Sequence, residues 1–60
     1  MITLQDAIKL SGVEDWTLTP RQKIFLLEST RDLLDKHDPA WFQENRERLK
    51  DDLRLIFKEI

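Results

Sequence analysis

The stretch LTPRQKIFLLESTRDLLDKHDP, residues 18–39, decides the fold. Near its start, Thr19 stands directly before Pro20, the order of residues typical of a helix N-cap followed by the first helical position. Gln22 follows at the position from which a side chain returns the capping-box hydrogen bond. The sequence therefore predicts a helix that begins at Pro20.

The end of the same stretch carries a second signal of this kind. Asp38 and Pro39 repeat the order of cap and proline, and a proline disfavours helical geometry at the residue before it. We expect the helix from Pro20 to stop near Lys36 or His37. A third helix is then predicted to run from Pro39 towards the C-terminus as one unbroken element.

A shorter first helix is predicted at the N-terminus. Thr3 is placed to cap it with Asp6 three residues later, and Gly12 is placed to end it. The segment between Gly12 and Thr19 holds two large apolar residues, Trp16 and Leu18, which is too many for a solvated linker. We expect this segment to fold back over the core as a lid.

Helical spacing predicts which residues of the longer helices face the core. In the second predicted helix these are Leu26, Leu27, Thr30, Leu33 and Leu34. In the third they are Phe42, Leu49, Leu53, Ile56, Phe57 and Ile60. In the first they are Leu4, Ala7 and Ile8. Arg46 lies within the third stripe, so its guanidinium is expected to meet a carboxylate of the second helix, with the candidates Glu28, Asp32 and Asp35.

The predicted fold class is all-α with three helices. A short connection between the second and third helices favours an antiparallel hairpin, with the short first helix packed across it. No linker divides the chain, so residues 1–60 are expected to form a single small helical domain. Because Phe57 and Ile60 end the third helix without a glycine or asparagine stop, the alternative is that the chain is the N-terminal part of a longer protein.

Composition narrows the possible chemistry. Cysteine is absent and His37 is the single histidine, so disulfides, thiol chemistry and a zinc site are not expected. No glycine-rich loop, nucleophile motif or carboxylate pair in a cleft is apparent, so we expect neither an enzyme nor a cofactor. The longest unbroken apolar run, residues 24–27, is far too short to span a membrane, and a cytoplasmic location is expected.

Three apolar residues lie outside the predicted core stripes and form a candidate partner surface: Phe25, Trp41 and Leu55. Another chain would bury this surface. The alternative for Phe25 and its neighbour Ile24 is that the first helix and the segment containing Trp16 cover them within the domain.

These observations predict a small helical protein–protein interaction module. A chain of 60 residues without disulfides or metal has a small core, so association is the support that remains available to it. We expect a homodimer formed through the helical hairpin, acting as an adaptor, regulator or inhibitor of a larger protein.

The alternative function is a helix-turn-helix-like DNA-binding regulator. Lys50, Arg54 and Lys58 recur at every fourth position and would form a basic ridge for phosphate contacts. Residues 18–23, LTPRQK, resemble the opening of the first helix in LuxR-type and sigma-factor helix-turn-helix domains. That resemblance covers six residues, and because the order Thr-Pro-x-Gln is a good helix start in any fold, we interpret it as capping chemistry. The net charge of −2 makes nucleic acid the less expected partner.

Overall fold

The computed structural model describes residues 2–60, and this range is helical with no strand. The helices are α1 (Leu4–Ser11), α2 (Pro20–Lys36), α3 (Pro39–Glu44) and α4 (Arg46–Phe57). The predicted all-α class is confirmed. The predicted number of helices is wrong, because four are present in the described range and not three.

The first two helices begin as predicted. At the start of α1, Thr3 Oγ1 accepts a hydrogen bond from the Asp6 backbone amide, 3.3 Å away. At the start of α2, Thr19 Oγ1 accepts one from the Gln22 amide at 3.2 Å, and Gln22 Oε1 accepts one from the Thr19 amide at 2.9 Å. The end of α2 at Lys36 also confirms the prediction. Local capping chemistry thus sets these boundaries.

Loss of the α2 cap should have a measurable cost. Thr19→Ala is expected to lower the free energy of unfolding by about 1 kcal/mol, because one amide at the start of α2 loses its acceptor. Chemical denaturation followed by circular dichroism measures the change. Thr17→Ala is the control, since Thr17 is also exposed but stands outside the cap. Equal losses in the two variants would contradict a specific role for the Thr19 hydroxyl.

The third predicted helix is broken at Asn45. The backbone there has φ −109° and ψ 17°, which separates α3 from α4. The Asn45 amide and its side-chain Nδ2 both donate to the Trp41 carbonyl oxygen, at 3.0 and 2.9 Å. The first is an ordinary helical bond, whereas the second is a side-chain bond to the same oxygen, and asparagine side chains that compete for backbone groups disfavour a continuous helix. The prediction of one unbroken helix from Pro39 is therefore wrong.

Helix α1 occupies the centre of the molecule. It packs against α2, α3 and α4, whereas α2 approaches the last two helices closely at few points. Two small residues one turn apart, Ala7 and Ser11, are both 0% exposed, and their short side chains allow neighbouring backbones to come near. The prediction that the short first helix packs against both longer elements is confirmed, whereas the predicted antiparallel hairpin is not matched, because its third helix is divided and α2 makes few close approaches to α3 and α4.

The core combines residues from every part of the chain. Its main buried cluster consists of Ala7, Val13, Leu26, Leu53 and Phe57. Phe42 of α3 is also buried. Ile56 and Ile60 were predicted on the core face and are instead exposed. After the break at Asn45, the side of α4 that turns inward is the narrow row of Leu49, Leu53 and Phe57.

The segment between α1 and α2 folds back, as predicted. Val13 is buried, and the half-buried Trp16 and Leu18 pack against the core. The Trp16 ring meets the Phe57 ring edge to face, with centroids 5.9 Å apart and planes at 78°. This segment therefore forms one wall of the domain beside the end of α4.

Arg46 joins the start of α4 to the end of α1. Its Nη2 donates to the Lys9 carbonyl oxygen at 2.8 Å, and its side chain runs past Gly12, which ends α1 with φ 79°. A cation is favourable at the C-terminal end of a helix, where carbonyl groups lack partners. The expected contact with a carboxylate of α2 is therefore replaced by a contact with the backbone of α1.

Candidate interaction surface

An open groove of about 580 Å³ lies between the segment before α2 and the end of α4. The residues that line it are Trp16, Thr17, Leu18, Gln22, Arg54, Phe57 and Lys58. Apolar side chains form part of the lining and two cations stand beside them. We call this feature the Trp16 groove.

Arg54 is held against one wall of the groove. Its Cζ lies 5.1 Å from the centroid of the Trp16 ring, a distance at which a guanidinium is attracted to the face of an indole. The same indole meets Phe57 through its edge. The position of the Arg54 charge is thus linked to the packing of the core.

Gln22 has a second structural role beside the cap of α2. Its Nε2 donates to the Phe57 carbonyl oxygen at 3.3 Å, which ties the start of α2 to the last turn of α4. This bond closes one end of the groove. The capping box indicated the first role of Gln22, whereas no local signal indicated the second, because its partner is 35 residues away along the chain.

The predicted basic ridge is divided by the fold. Arg54 and Lys58 are exposed and line the Trp16 groove, whereas Lys50 is half-buried and stands outside it. The structure therefore brings two of the three predicted phosphate contacts together beside an aromatic ring. Sequence reasoning identified the two cations but did not place Trp16 next to them.

The predicted partner surface is spread over different parts of the molecule. Phe25 is half-buried and meets Phe57 edge to face at 6.0 Å, while Trp41 stacks on His37 at 4.3 Å. Leu55 stands on the outer side of α4. The alternative prediction, in which Phe25 is covered by other parts of the same domain, agrees with its packing against the core. It does not fit Ile24, which is 59% exposed.

A different apolar group is exposed at the end of α4. Leu55 is 63% exposed, Ile56 39% and Ile60 45%. Leu55 and Ile56 are neighbours in the last turns of the helix, and Ile60 follows Ile56 by four residues. We call these three residues the α4 apolar patch. Sequence reasoning assigned two of them to the core and so missed the patch.

Within residues 2–60, no group of three or more histidine or acidic side chains is placed to hold a metal ion. No helix in the same range combines the length and the apolar character that crossing a bilayer requires.

Comparison with known proteins identified no relative of this chain. No family model, curated protein or solved structure matches the chain.

Proposed function

We propose that this protein is a small helical protein-interaction module that self-associates through the α4 apolar patch. In this proposal it acts as an adaptor, regulator or inhibitor of a larger protein. The exposure of three large apolar residues at one end of a 60-residue domain is the observation that carries the proposal. Burial of such side chains against another chain is favourable.

A symmetric dimer is the simplest use of this patch. In a two-fold interface the same residues of each copy face one another, so each side chain contributes twice. The leucines of α2 are less suited to this role than predicted, because Leu26 is buried and Leu27 packs against the core. The proposed interface therefore shifts from the hairpin to the outer end of α4.

The dimer should be weak. Three side chains provide only part of the roughly 800 Å² that each partner buries in a standard interface. Association also has an entropic cost that a small interface offsets only partly. We expect a dissociation constant on the order of 100 µM.

Analytical ultracentrifugation tests the proposal with two matched variants. The average mass of the native chain should rise above 7.2 kDa as concentration approaches roughly 1 mM. Leu55→Gln should weaken the dimer by about tenfold or more, because the loss occurs on both copies. Ile24→Gln is the control, since Ile24 has a similar exposure but lies on α2.

Two results would overturn the proposed self-association. An average mass of the native chain that stays at 7.2 kDa over the whole concentration range would show that the chain does not dimerise. If Leu55→Gln and Ile24→Gln weaken the dimer equally, the interface is not located at the α4 apolar patch.

The DNA-binding alternative has less support from the geometry. Lys50 is half-buried and stands outside the Trp16 groove, so the ridge brings fewer exposed cations together than its sequence spacing suggests. A phosphate-binding surface relies on several such charges acting together.

A further inference from the structure

The Trp16 groove has properties that the α4 apolar patch lacks. It is open along one side, and its lining alternates apolar surface from Trp16, Leu18 and Phe57 with the charges of Arg54 and Lys58. Open apolar grooves with a few fixed polar groups are typical of sites that receive a segment of another protein.

The charge of the groove is opposite to that of the whole chain. The chain carries a net charge of −2, yet the lining of the groove includes two cations and no carboxylate. Glu14 and Asp15 belong to the same chain segment as Trp16 but are exposed outside the lining. An acidic group is therefore attracted to the groove although the chain as a whole is negatively charged.

The two cations differ in how they are held. Arg54 is positioned by the face of Trp16 at 5.1 Å, and the indole is positioned by Phe57 in turn. A guanidinium fixed in this way still presents N–H groups that can bind a carboxylate in a defined direction. Lys58 is exposed on the groove lining and adds a second, more mobile charge.

From this charge complementarity we infer that the Trp16 groove binds an acidic segment of a partner protein, which places an apolar side chain against Trp16 and Leu18 and its carboxylates on Arg54 and Lys58. The inference rests on the proposed function as an interaction module and names the chemistry of the partner. It uses residues other than those of the α4 apolar patch.

Nuclear magnetic resonance titration with two synthetic peptides tests the inference. The acidic probe is a capped peptide of alternating glutamate and leucine, and the basic probe has lysine in place of each glutamate. The acidic probe should shift the backbone amides around Trp16, Gln22 and Arg54, while the basic probe should leave them in place. Equal shifts from the two probes, or none from the acidic one, would overturn the inference.

A pair of double variants tests the role of the two cations. Arg54→Gln with Lys58→Gln should weaken binding of the acidic probe by about tenfold. Arg48→Gln with Lys50→Gln changes the charge of α4 equally but outside the groove, and should leave binding unchanged. The same spectra report whether each variant remains folded. Equal effects of the two double variants would overturn the inference.

A duplex DNA oligonucleotide serves as the competing probe. Stronger shifts of the groove amides with DNA than with the acidic peptide, and a steep loss of binding with salt, would overturn the inference in favour of nucleic acid. Sedimentation of the same samples keeps the two proposals distinct. If the chain stays monomeric but binds the acidic peptide, the inference about the groove is supported and the proposed self-association is contradicted. If the chain dimerises but does not bind the peptide, self-association is supported and the inference about the groove is contradicted.

Discussion

Leu53→Ala is expected to lower the free energy of unfolding by about 2–5 kcal/mol. Leu53 is 3% exposed and belongs to the main buried cluster, so truncation removes apolar contacts and leaves a cavity. A domain of 60 residues has a total stability of roughly 3–9 kcal/mol. The expected loss is a large fraction of this total, so the variant should unfold at a clearly lower urea concentration than the native chain.

Urea denaturation followed by circular dichroism measures this effect, and Leu55→Ala is the control. Both leucines lie on α4, two residues apart, but Leu55 is 63% exposed. Its truncation should change the free energy of unfolding by less than about 0.5 kcal/mol. Similar losses in the two variants would show that the inward side of α4 has been assigned to the wrong residues.

Gly12→Ala is expected to lower the free energy of unfolding by about 1–3 kcal/mol, for two reasons. The backbone at Gly12 has φ 79°, a left-handed conformation that an alanine adopts only with strain. A Cβ atom at this position would also lie 3.1 Å from Arg46 Nε and 3.3 Å from Arg46 Cγ. The Arg46 side chain would have to move, and its bond to the Lys9 carbonyl would weaken.

The two causes can be separated by repeating the substitution in an Arg46→Ala background. The contact with Arg46 is then absent, so the remaining loss, about 1–2 kcal/mol, reports the backbone strain alone. Thermal and urea denaturation of the four proteins provide the comparison. A neutral or stabilising Gly12→Ala would contradict the left-handed end of α1.

The beginnings of helices were predictable because their signals are local. Thr3 with Asp6, and Thr19 with Gln22, each place a side chain within reach of amides three residues away. Pro39 likewise fixes where α2 must stop. These features depend on a few neighbouring residues and need no knowledge of the packing.

The break at Asn45 was not predictable in the same way. A single asparagine among good helix formers is tolerated in many helices, and only its hydrogen bonds to Trp41 distinguish this one. The exposure of Ile56 and Ile60 has a different origin. Ile60 lies beyond the end of α4 at Phe57, and Ile56 shares α4 with Leu49, Leu53 and Phe57 but is left uncovered by the neighbouring elements.

Individual residues of the Trp16 groove were predictable from the sequence, but their arrangement around the groove was not. Arg54 and Lys58 were identified from their spacing, but the spacing alone grouped them with Lys50. Their position beside Trp16 depends on how the segment before α2 folds back, which is a property of the tertiary structure. The role of Arg46 at the end of α1 was missed for the same reason, because its partner is 37 residues away.

The central position of α1 has a consequence for how the molecule unfolds. A helix of eight residues is too short to persist in water without support, yet the three other helices all rest on it. Loss of α1 therefore removes a packing partner from each of the other three helices at once. The domain should therefore behave as one cooperative unit that is either wholly assembled or wholly lost.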